Sequence, residues 1–403
     1  MKKVYFLGII LLATLSAIGQ KVRYLDPVFD SVVSYPNVQY GASQTFQNTT
    51  LNLNMDFYYP YGDSLTNRPL LVLAHGGSFV QGSRQAADIV KVCREMALRG
   101  YVCVSIQYRL GVNIAGTGGL NQEFSHAVWR ATQDGRAAVR FLRKRHAEES
   151  NIDGIDTSKI FVGGISAGGV LGMHLVGLDR YEEIAQTSID TAQVGDIDGT
   201  SGNPGYSWRA RGVVNLCGAI SNVAWLANNN DVAFISMHGT NDQTVPYKSD
   251  YFKFFGNPIG FLQGSFSIDS AAASLGYKSV LHTFQGADHV PFSTNALYMD
   301  TTIRFVSREL YKNLTGLIPT SLETIHEGEI VSFFPNPANS SISFSASRSN
   351  LLQVNIYTLN GQEVMSARVS PGSRLDLAKL ERGMYLIEIK MEESLIRKRL
   401  ILE

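Results

Sequence analysis

A serine flanked by two glycines carries the clearest chemical signal in this sequence of 403 residues. The pentapeptide Gly164-Ile165-Ser166-Ala167-Gly168 fits the pattern G-x-S-x-G, in which a sharp turn between a strand and a helix exposes the serine hydroxyl. The glycines leave room for close backbone approach, and the helix that follows directs its positive end toward the same point. We therefore expect Ser166 to be a nucleophile and the amide of Ala167 to stabilise an oxyanion.

A second loop with consecutive glycines, His75-Gly76-Gly77-Ser78, follows the apolar run Leu70–Ala74. Its amides are suited to a further oxyanion contact, with Gly77 as the first choice and Gly76 beside it. Together, this loop and the serine pentapeptide resemble the carboxylesterase and lipase branch of the α/β-hydrolase superfamily over roughly residues 35–312. The chain departs from the family's His-Gly-Gly-Gly loop at Ser78. We expect His75 to hold the loop rather than to transfer protons, because it precedes the nucleophile in the chain.

The resemblance implies that the acid and then the histidine follow the serine in the chain. Asp242, in the loop after the predicted strand Val232–Met237, resembles the family's acid. His289 lies in the loop after the last apolar strand of the catalytic region, whereas His282 lies inside that strand and His326 lies in a linker. We therefore expect His289 to be the base and Asp242 to orient it.

Two other carboxylates lie beyond the nucleophile in a glycine-rich loop, residues 195–205. Asp196 and Asp198 are alternatives for the acid, but no strand precedes this loop to fix a carboxylate. A cation site in the same loop is a further alternative. For the reaction itself we expect neither a metal nor a cofactor.

The elements that position these residues begin with a run of alternating apolar and polar residues over 51–59, typical of a half-exposed antiparallel strand. Short apolar runs follow, suited to strands buried on both faces. These runs are Leu70–Ala74, Tyr101–Ile106, Ile160–Val162, Val213–Cys217, Val232–Met237 and Ser279–Phe284. Helical patterns separate them, at Ala86–Arg99, Phe124–Arg145 and Ala167–Leu178. The order predicts an α/β fold with a doubly wound, mostly parallel sheet, the α/β-hydrolase fold.

The chain divides into four predicted segments. Residues 1–19 combine two lysines, an apolar run and small residues, which is typical of a removed signal peptide; a membrane anchor is the alternative, but the run is too short for a stable span. Residues 20–312 are predicted to form the catalytic domain, and residues 313–327, which contain glycine and proline, are predicted to be a linker. Residues 328–403 predict a small antiparallel β-sandwich.

The C-terminal segment resembles the sorting domain of the type IX secretion system, through Phe333-Phe334-Pro335-Asn336-Pro337 and the β-rich stretch after it. The resemblance implies secretion through the periplasm to the outer surface or the medium, with the secretion machinery as a partner. A carbohydrate-binding or adhesion sandwich is the alternative, although no platform of aromatic residues is evident.

Composition limits the partners further. Lysine plus arginine and aspartate plus glutamate number 35 each, so no overall charge favours nucleic acid or an anionic membrane. Cys93, Cys103 and Cys217 fit no metal spacing and read as buried thiols, with a Cys93–Cys103 bridge as the alternative.

The sequence thus predicts a secreted ester hydrolase acting on a small-molecule or polymer-borne ester. A serine peptidase of the same fold, or a non-catalytic binding protein, are the alternatives. Two loops rich in glycine and apolar residues are expected to line the substrate pocket, Leu110–Glu123 and Phe254–Phe266. The alternative is that they only pack against the rest of the domain.

Overall fold

The computed structural model describes residues 21–116, 118–317, 331–346, 351–359, 361–390 and 395–403. The predicted signal peptide, residues 1–19, lies outside these ranges. None of the helices in the described ranges has the length and the apolar character that a membrane-spanning helix needs.

An eight-stranded sheet forms the centre of the catalytic region, with strand order β1-β2-β4-β3-β5-β6-β8-β11. Strand β2 is antiparallel to both of its neighbours, and the pairs from β4 to β11 are all parallel. The predicted mostly parallel sheet with an antiparallel edge is therefore confirmed. The strands of this region are β1 (Val32–Gln44), β2 (Thr50–Pro60), β3 (Arg68–Ala74), β4 (Val102–Ile106), β5 (Ile155–Ile165), β6 (Gly212–Leu216), β7 (Ala219–Ile220), β8 (Ala233–Gly239), β9 (Ser249–Phe254), β10 (Asn257–Gly264) and β11 (Ser279–Phe284).

Helices cover both faces of this sheet. Along β3 the side chains alternate between two apolar clusters, because successive residues of a strand point to opposite faces. Leu70 and Val72 belong to the cluster beneath α2 and α3, whereas Leu71 and Leu73 belong to the cluster beneath α1 and α7. The helices are α1 (Ala87–Leu98), α2 (Gly119–Glu148), α3 (Ala167–Gly177), α4 (Tyr181–Ile184), α5 (Thr191–Val194), α6 (Ser265–Ser274) and α7 (Ala296–Thr315).

Several segments differ from the sequence expectations. Leu110–Glu123, expected to be a loop, contains the first five residues of helix α2. The stretch Phe254–Phe266, expected to be a loop, contains strand β10, which pairs with β9 and β7 in a separate three-stranded sheet. Helix α7 extends through the first three residues of the expected linker and ends where Gly316 adopts a φ of 71°. A glycine in the left-handed region is a common helix terminator, so Gly316 marks the end of this helix. Residues 318–330, which include most of that linker and the first residues of the predicted C-terminal domain, lie outside the described residues.

The C-terminal region contains two antiparallel sheets, β12-β13-β16 and β15-β14-β17-β18. Ile342 and Phe344 of the first sheet share one buried cluster with Val354 and Ile387 of the second. Two sheets around a common core form a sandwich, as expected for this fold class. The strands are β12 (Val331–Phe334), β13 (Ser341–Ala346), β14 (Leu352–Thr358), β15 (Glu363–Val369), β16 (Arg374–Asp376), β17 (Gly383–Lys390) and β18 (Leu395–Leu402).

All three cysteines are free and buried, so Cys93 and Cys103 form no bridge. Burial raises the pKa of each of these thiols. They are therefore unreactive packing residues, as expected from their interpretation as buried thiols.

Candidate active site

Ser166 occupies the turn between β5 and α3, with φ 54° and ψ −114°. Backbone strain of this kind in a residue other than glycine is a feature of functional turns. A Cβ atom added to Gly164 or to Gly168 would lie 2.0 Å from the carbonyl oxygen of Ala74, at the end of the neighbouring strand β3. The two glycines of the pentapeptide are therefore required by contact with β3, which explains their spacing around Ser166.

The structure brings the three residues predicted as nucleophile, base and acid together. The Ser166 Oγ and His289 Nε2 atoms are 2.7 Å apart, and His289 Nδ1 is 2.6 Å from Asp242 Oδ2. An ionised carboxylate can only accept, so the His289 Nδ1–H donates to Asp242 and Nε2 is free to accept the Ser166 hydroxyl proton. Each residue follows a strand of the parallel sheet, namely β5, β8 and β11, and these strand ends meet at one edge.

The side chain of Asp242 is fully buried and takes part in an extensive set of hydrogen bonds. Its Oδ1 atom accepts from the amides of Thr244 and Val245, each at 2.9 Å. Its Oδ2 atom accepts from His289 and also from His238 Nε2, at 3.0 Å. Burial by itself would raise the pKa of Asp242, but the hydrogen bonds from His238 and His289 lower it to about 2. The carboxylate is thus ionised at neutral pH.

His238 is the residue of this site that the sequence interpretation missed. It lies near the end of strand β8 and precedes Asp242 by four residues, and no sequence motif marks it. Its position at the carboxyl end of a predicted strand, at the same sheet edge as Ser166 and Asp242, is the sequence feature that could have identified it. The imidazole of His238 is completely buried.

Asp288 links the two loops that carry the acid and the base. Its Oδ1 atom accepts from the amide of Gln243 at 2.9 Å and from the amide of His289 at 2.7 Å. The loops also pack closely, because a Cβ atom added to Gly239 would lie 2.3 Å from the carbonyl oxygen of Ala287. Asp242 and His289 are therefore held relative to each other by backbone contacts as well as by their own hydrogen bond.

The loop from His75 to Phe79 lies beside the nucleophile. A Cβ atom added to Gly76 would be 3.3 Å from the Cβ of Ser166, and Gly77 has a φ of 119°. Ser78 also has a positive φ, 54°, so it adopts a conformation that the glycine of the family pattern would favour. Ser78 lines the same cavity as Ser166 and Ala167. The predicted oxyanion loop thus borders the site despite its departure from three glycines.

His75 anchors this loop from behind. Its imidazole stacks on Tyr108 with ring centroids 4.4 Å apart, and its Nδ1 lies 2.6 Å from the carbonyl oxygen of Gly76. The Tyr108 hydroxyl donates to the backbone oxygen of His75 at 2.9 Å. Burial lowers the pKa of His75. These contacts agree with the expected holding role.

The alternative acids contact other groups. Asp196 accepts a hydrogen bond from the Tyr181 hydroxyl at 2.6 Å, and the side chain of Asp198 is 72% exposed. Side chains of α2 occupy the backbone oxygens of their loop, since Arg136 donates to Ile197 and Arg140 to Asp198. Among the described residues, no group of three or more histidine, cysteine, aspartate or glutamate side chains could hold a metal ion. We therefore assign this loop a packing role against α2.

A cavity of about 280 Å³ opens next to Ser166 and runs along one face of α3, past Val170 and His174. Aromatic and aliphatic side chains form much of its wall, and the part of the chain that the structure describes contributes no lysine, arginine, aspartate or glutamate to it. Of the two segments expected at the pocket, Phe254–Phe266 contributes four residues through strand β10, whereas Leu110–Glu123 contributes Asn121.

Comparisons with known proteins bear on both regions. Residues 55–200 match the BD-FAE family model, which describes α/β-hydrolase-like esterases, and residues 332–403 match the secretion system C-terminal sorting domain. The chain combines an esterase-like hydrolase domain with a type IX secretion-sorting domain. The predicted location, secreted or at the outer cell surface, is confirmed by the second match. The first match includes Ser166 and ends before Asp242 and His289.

Solved structures similar to this esterase-like chain include esterases. Thermogutta terrifontis esterase 2 phosphorylated by paraoxon is 20% identical with a TM-score of 0.49, covering 74% of this chain and 100% of that one. The propionate-bound form of the same enzyme is 20% identical with a TM-score of 0.47, covering 71% and 96%. A truncated carbohydrate esterase from gut microbiota is 18% identical with a TM-score of 0.45, covering 71% and 98%. No curated protein matches the chain.

Proposed function

We propose that this protein is a secreted serine carboxylic ester hydrolase that works through an acyl-enzyme intermediate. The observation that carries the proposal is the continuous hydrogen-bond chain from Ser166 through His289 to Asp242, with steps of 2.7 and 2.6 Å. A hydroxyl, an imidazole and a buried carboxylate in this order form the arrangement that activates serine for acyl transfer.

In the first half of the reaction, Ser166 Oγ bonds to the ester carbonyl carbon while its proton passes to Nε2 of His289. Asp242 holds the imidazole in the required tautomer and stabilises the cation that forms. The amides of Ala167 and Gly77 donate to the oxyanion, with Gly76 beside the reacting atoms. The bond to the alcohol oxygen then breaks, and His289 returns the proton to the leaving alcohol.

In the second half, a water molecule takes the place of the alcohol. His289 accepts a proton from this water as its oxygen bonds to the acyl carbon. A second oxyanion forms at the same amides and collapses by breaking the bond to Ser166 Oγ. The proton on His289 returns to Ser166, and the acid product leaves.

The cavity supports a neutral substrate. None of the described residues that line it is a lysine, arginine, aspartate or glutamate, so an ionised group on the substrate would lose its hydration without gaining an ion-pair partner from these residue types. The wall combines apolar side chains such as Phe124 and Val170 with polar ones such as Asn121 and Ser221. We infer an uncharged ester, either a small molecule or a group borne on a polymer.

Steady-state hydrolysis of a panel of neutral chromogenic esters of increasing acyl length, together with acetylated and feruloylated sugars, tests this function. The mature full-length protein should hydrolyse at least one member, and Ser166→Ala should lower kcat by about 10⁴-fold or more. An irreversible organophosphorus reagent should label Ser166 stoichiometrically, as seen by peptide mass spectrometry.

Ester hydrolysis that survives in Ser166→Ala would contradict the mechanism. Cleavage of peptides with no activity on any ester would favour the serine peptidase alternative. A folded protein without either activity and without labelling would favour the non-catalytic alternative.

A further inference from the structure

A second imidazole, which takes no part in the proton transfers, contacts the carboxylate of Asp242. His238 Nε2 is 3.0 Å from Asp242 Oδ2, the same oxygen that accepts from His289. Both side chains of the His238–Asp242 pair have no exposed surface. The hydrolytic steps assign no task to His238, although a buried imidazole at this position is costly unless all of its polar atoms are paired.

The surroundings of His238 define which of its nitrogens carries the proton. Nε2 also lies 3.1 Å from the carbonyl oxygen of Val245, so it faces two groups that can only accept and must itself be the donor. Nδ1 lies 2.7 Å from Ser265 Oγ. Asn215 Nδ2 donates to Ser265 at 3.1 Å, which leaves the Ser265 hydroxyl proton for Nδ1 of His238. Each hydrogen bond is therefore satisfied when His238 is a neutral Nε2–H donor.

We propose that His238 is a positioning residue, which fixes and stabilises the Asp242 carboxylate by hydrogen bonding through a relay anchored at Ser265 and Asn215. This inference rests on the proposed ester hydrolase function. His238 does not touch the reacting atoms. Its N–H selects the carboxylate orientation in which Oδ2 faces His289, and its bulk keeps water away from the buried acid. The loss of this donor should therefore weaken catalysis without weakening substrate binding.

Two other titratable groups face this relay from the elements packed against it. Tyr247 packs edge-on against His238 with ring centroids 5.8 Å apart, and its hydroxyl pairs with Thr283. The Cys217 thiol interacts with Asp242, and burial raises the pKa of this thiol. Phenols and buried thiols are ordinarily neutral at pH 7. Neither group therefore adds a charge near His238, and the charge that His238 affects is that of the Asp242–His289 pair.

The test compares His238→Phe with His238→Gln in the full-length protein, with rates normalised by active-site titration. In His238→Phe, kcat should fall by about 10- to 100-fold while KM stays within about twofold, as expected for the loss of a supporting contact. The acid limb of the kcat/KM profile should move to higher pH by about half a unit to one unit. This shift is expected because Asp242 then places its full charge on His289 and favours the protonated form. Glutamine can offer an amide N–H near the position of Nε2, so His238→Gln should recover most of the rate and the original pH profile.

His282→Phe is the matched control, because His282 is a buried histidine on β11, in register beside Met237 of β8. It should change stability but neither kcat nor the pH profile. If His238→Phe does not fold, Ser265→Ala tests the same relay and should lower kcat by about three- to tenfold with a pH shift of the same sign.

Unchanged kcat and pH profile in His238→Phe, or a loss that His282→Phe reproduces, would overturn this inference while leaving the Ser166 mechanism intact. Activity that survives in Ser166→Ala would overturn both. The two failures are therefore distinguishable within one set of variants.

Discussion

Ser166 and Asp242 both follow a buried strand of the parallel sheet, yet they are held in place by different forces. Ser166 is held by its backbone, since the turn has a positive φ and the flanking Gly164 and Gly168 lie against Ala74 of the next strand. Asp242 is held through its side chain, whose two oxygens accept four hydrogen bonds. The steric requirement at Ser166 is visible in the sequence as two glycines at fixed spacing. The hydrogen bonds to Asp242 correspond to no such sequence pattern.

The largest expected effect is on kcat, from a substitution that changes the hydrogen bonds of Asp242 and leaves the backbone turn at Ser166 intact. Asp242→Asn should lower kcat by about 10⁴-fold, because an amide N–H in place of Oδ2 disfavours the His289 tautomer that accepts from Ser166. The fold should persist, since the remaining amide oxygen can still accept from the Thr244 and Val245 amides. Kinetics on the best ester and circular dichroism measure the two outcomes.

An unfolded Asp242→Asn protein would instead show that the acid loop depends on the charge of its carboxylate for its fold. Ser166→Ala serves as the reference for complete loss of the reaction. A kcat reduced by less than about tenfold in Asp242→Asn would indicate that another group orients His289.

A substitution beside Ser166, which is held by its backbone, should instead reduce stability together with activity. Gly164→Ala places a Cβ atom 2.0 Å from the Ala74 carbonyl oxygen at a φ of 149°, so strand β5 must move away from β3. We expect the free energy of unfolding to fall by about 3 kcal/mol or more, with activity lost alongside stability. Denaturant titration of the variant measures this change.

Gly62→Ala is the control for backbone conformation without a clash, because Gly62 has a φ of 75° and no atom within 4 Å of its added Cβ. It should destabilise the protein by only about 1 kcal/mol. Equal losses in the two variants would mean that close contact with β3 is not what requires glycine beside Ser166.

Much of the site was predictable from sequence because its constraints are local. Apolar runs identified the strands of the parallel sheet, and glycine spacing identified the turn at Ser166 and the loop beside it. His238 was missed because its importance comes from Ser265, which is distant in sequence and whose contact with it depends on how α6 packs. Strand β10 was read as a loop because Pro258 and Gly260 obscure its alternation, whereas pairing with β9 and β7 stabilises it as a strand.

Acid titration should distinguish burial from hydrogen bonding as the source of stability. Burial lowers the pKa of His282 from 6.5 to about 4, so the unfolded chain binds its proton first. The stability that neutral His282 contributes is present above pH 6.5 and is lost as the pH falls to 4, by about 3 kcal/mol. His282→Phe should therefore flatten the unfolding free energy between pH 6.5 and 4. His174, whose pKa burial also lowers to about 4, should retain its share of this dependence.

Asp242 should act in a lower pH window. Its pKa falls from 3.8 to about 2 on folding, so its contribution is present above about pH 4 and disappears as the pH drops through 2. The integrated effect is about 2 kcal/mol. Asp242→Asn should flatten the stability profile in this window and leave the window of His282 unchanged. A single transition affected equally by both variants would contradict the separate origins of the two shifts.

The smallest expected effect concerns the contact that joins the acid and base loops. Asp288→Ala removes the oxygen that accepts from the amides of Gln243 and His289, and because the site is exposed, water can replace it. We expect kcat to fall by about three- to tenfold, with little change in KM. Asp288→Asn keeps an acceptor oxygen and should retain nearly the full rate, which separates the hydrogen bonds from the charge. If both variants lose the same activity, the charge of Asp288 matters to His289, and the acid side of the site depends on electrostatics beyond the hydrogen bonds to Asp242.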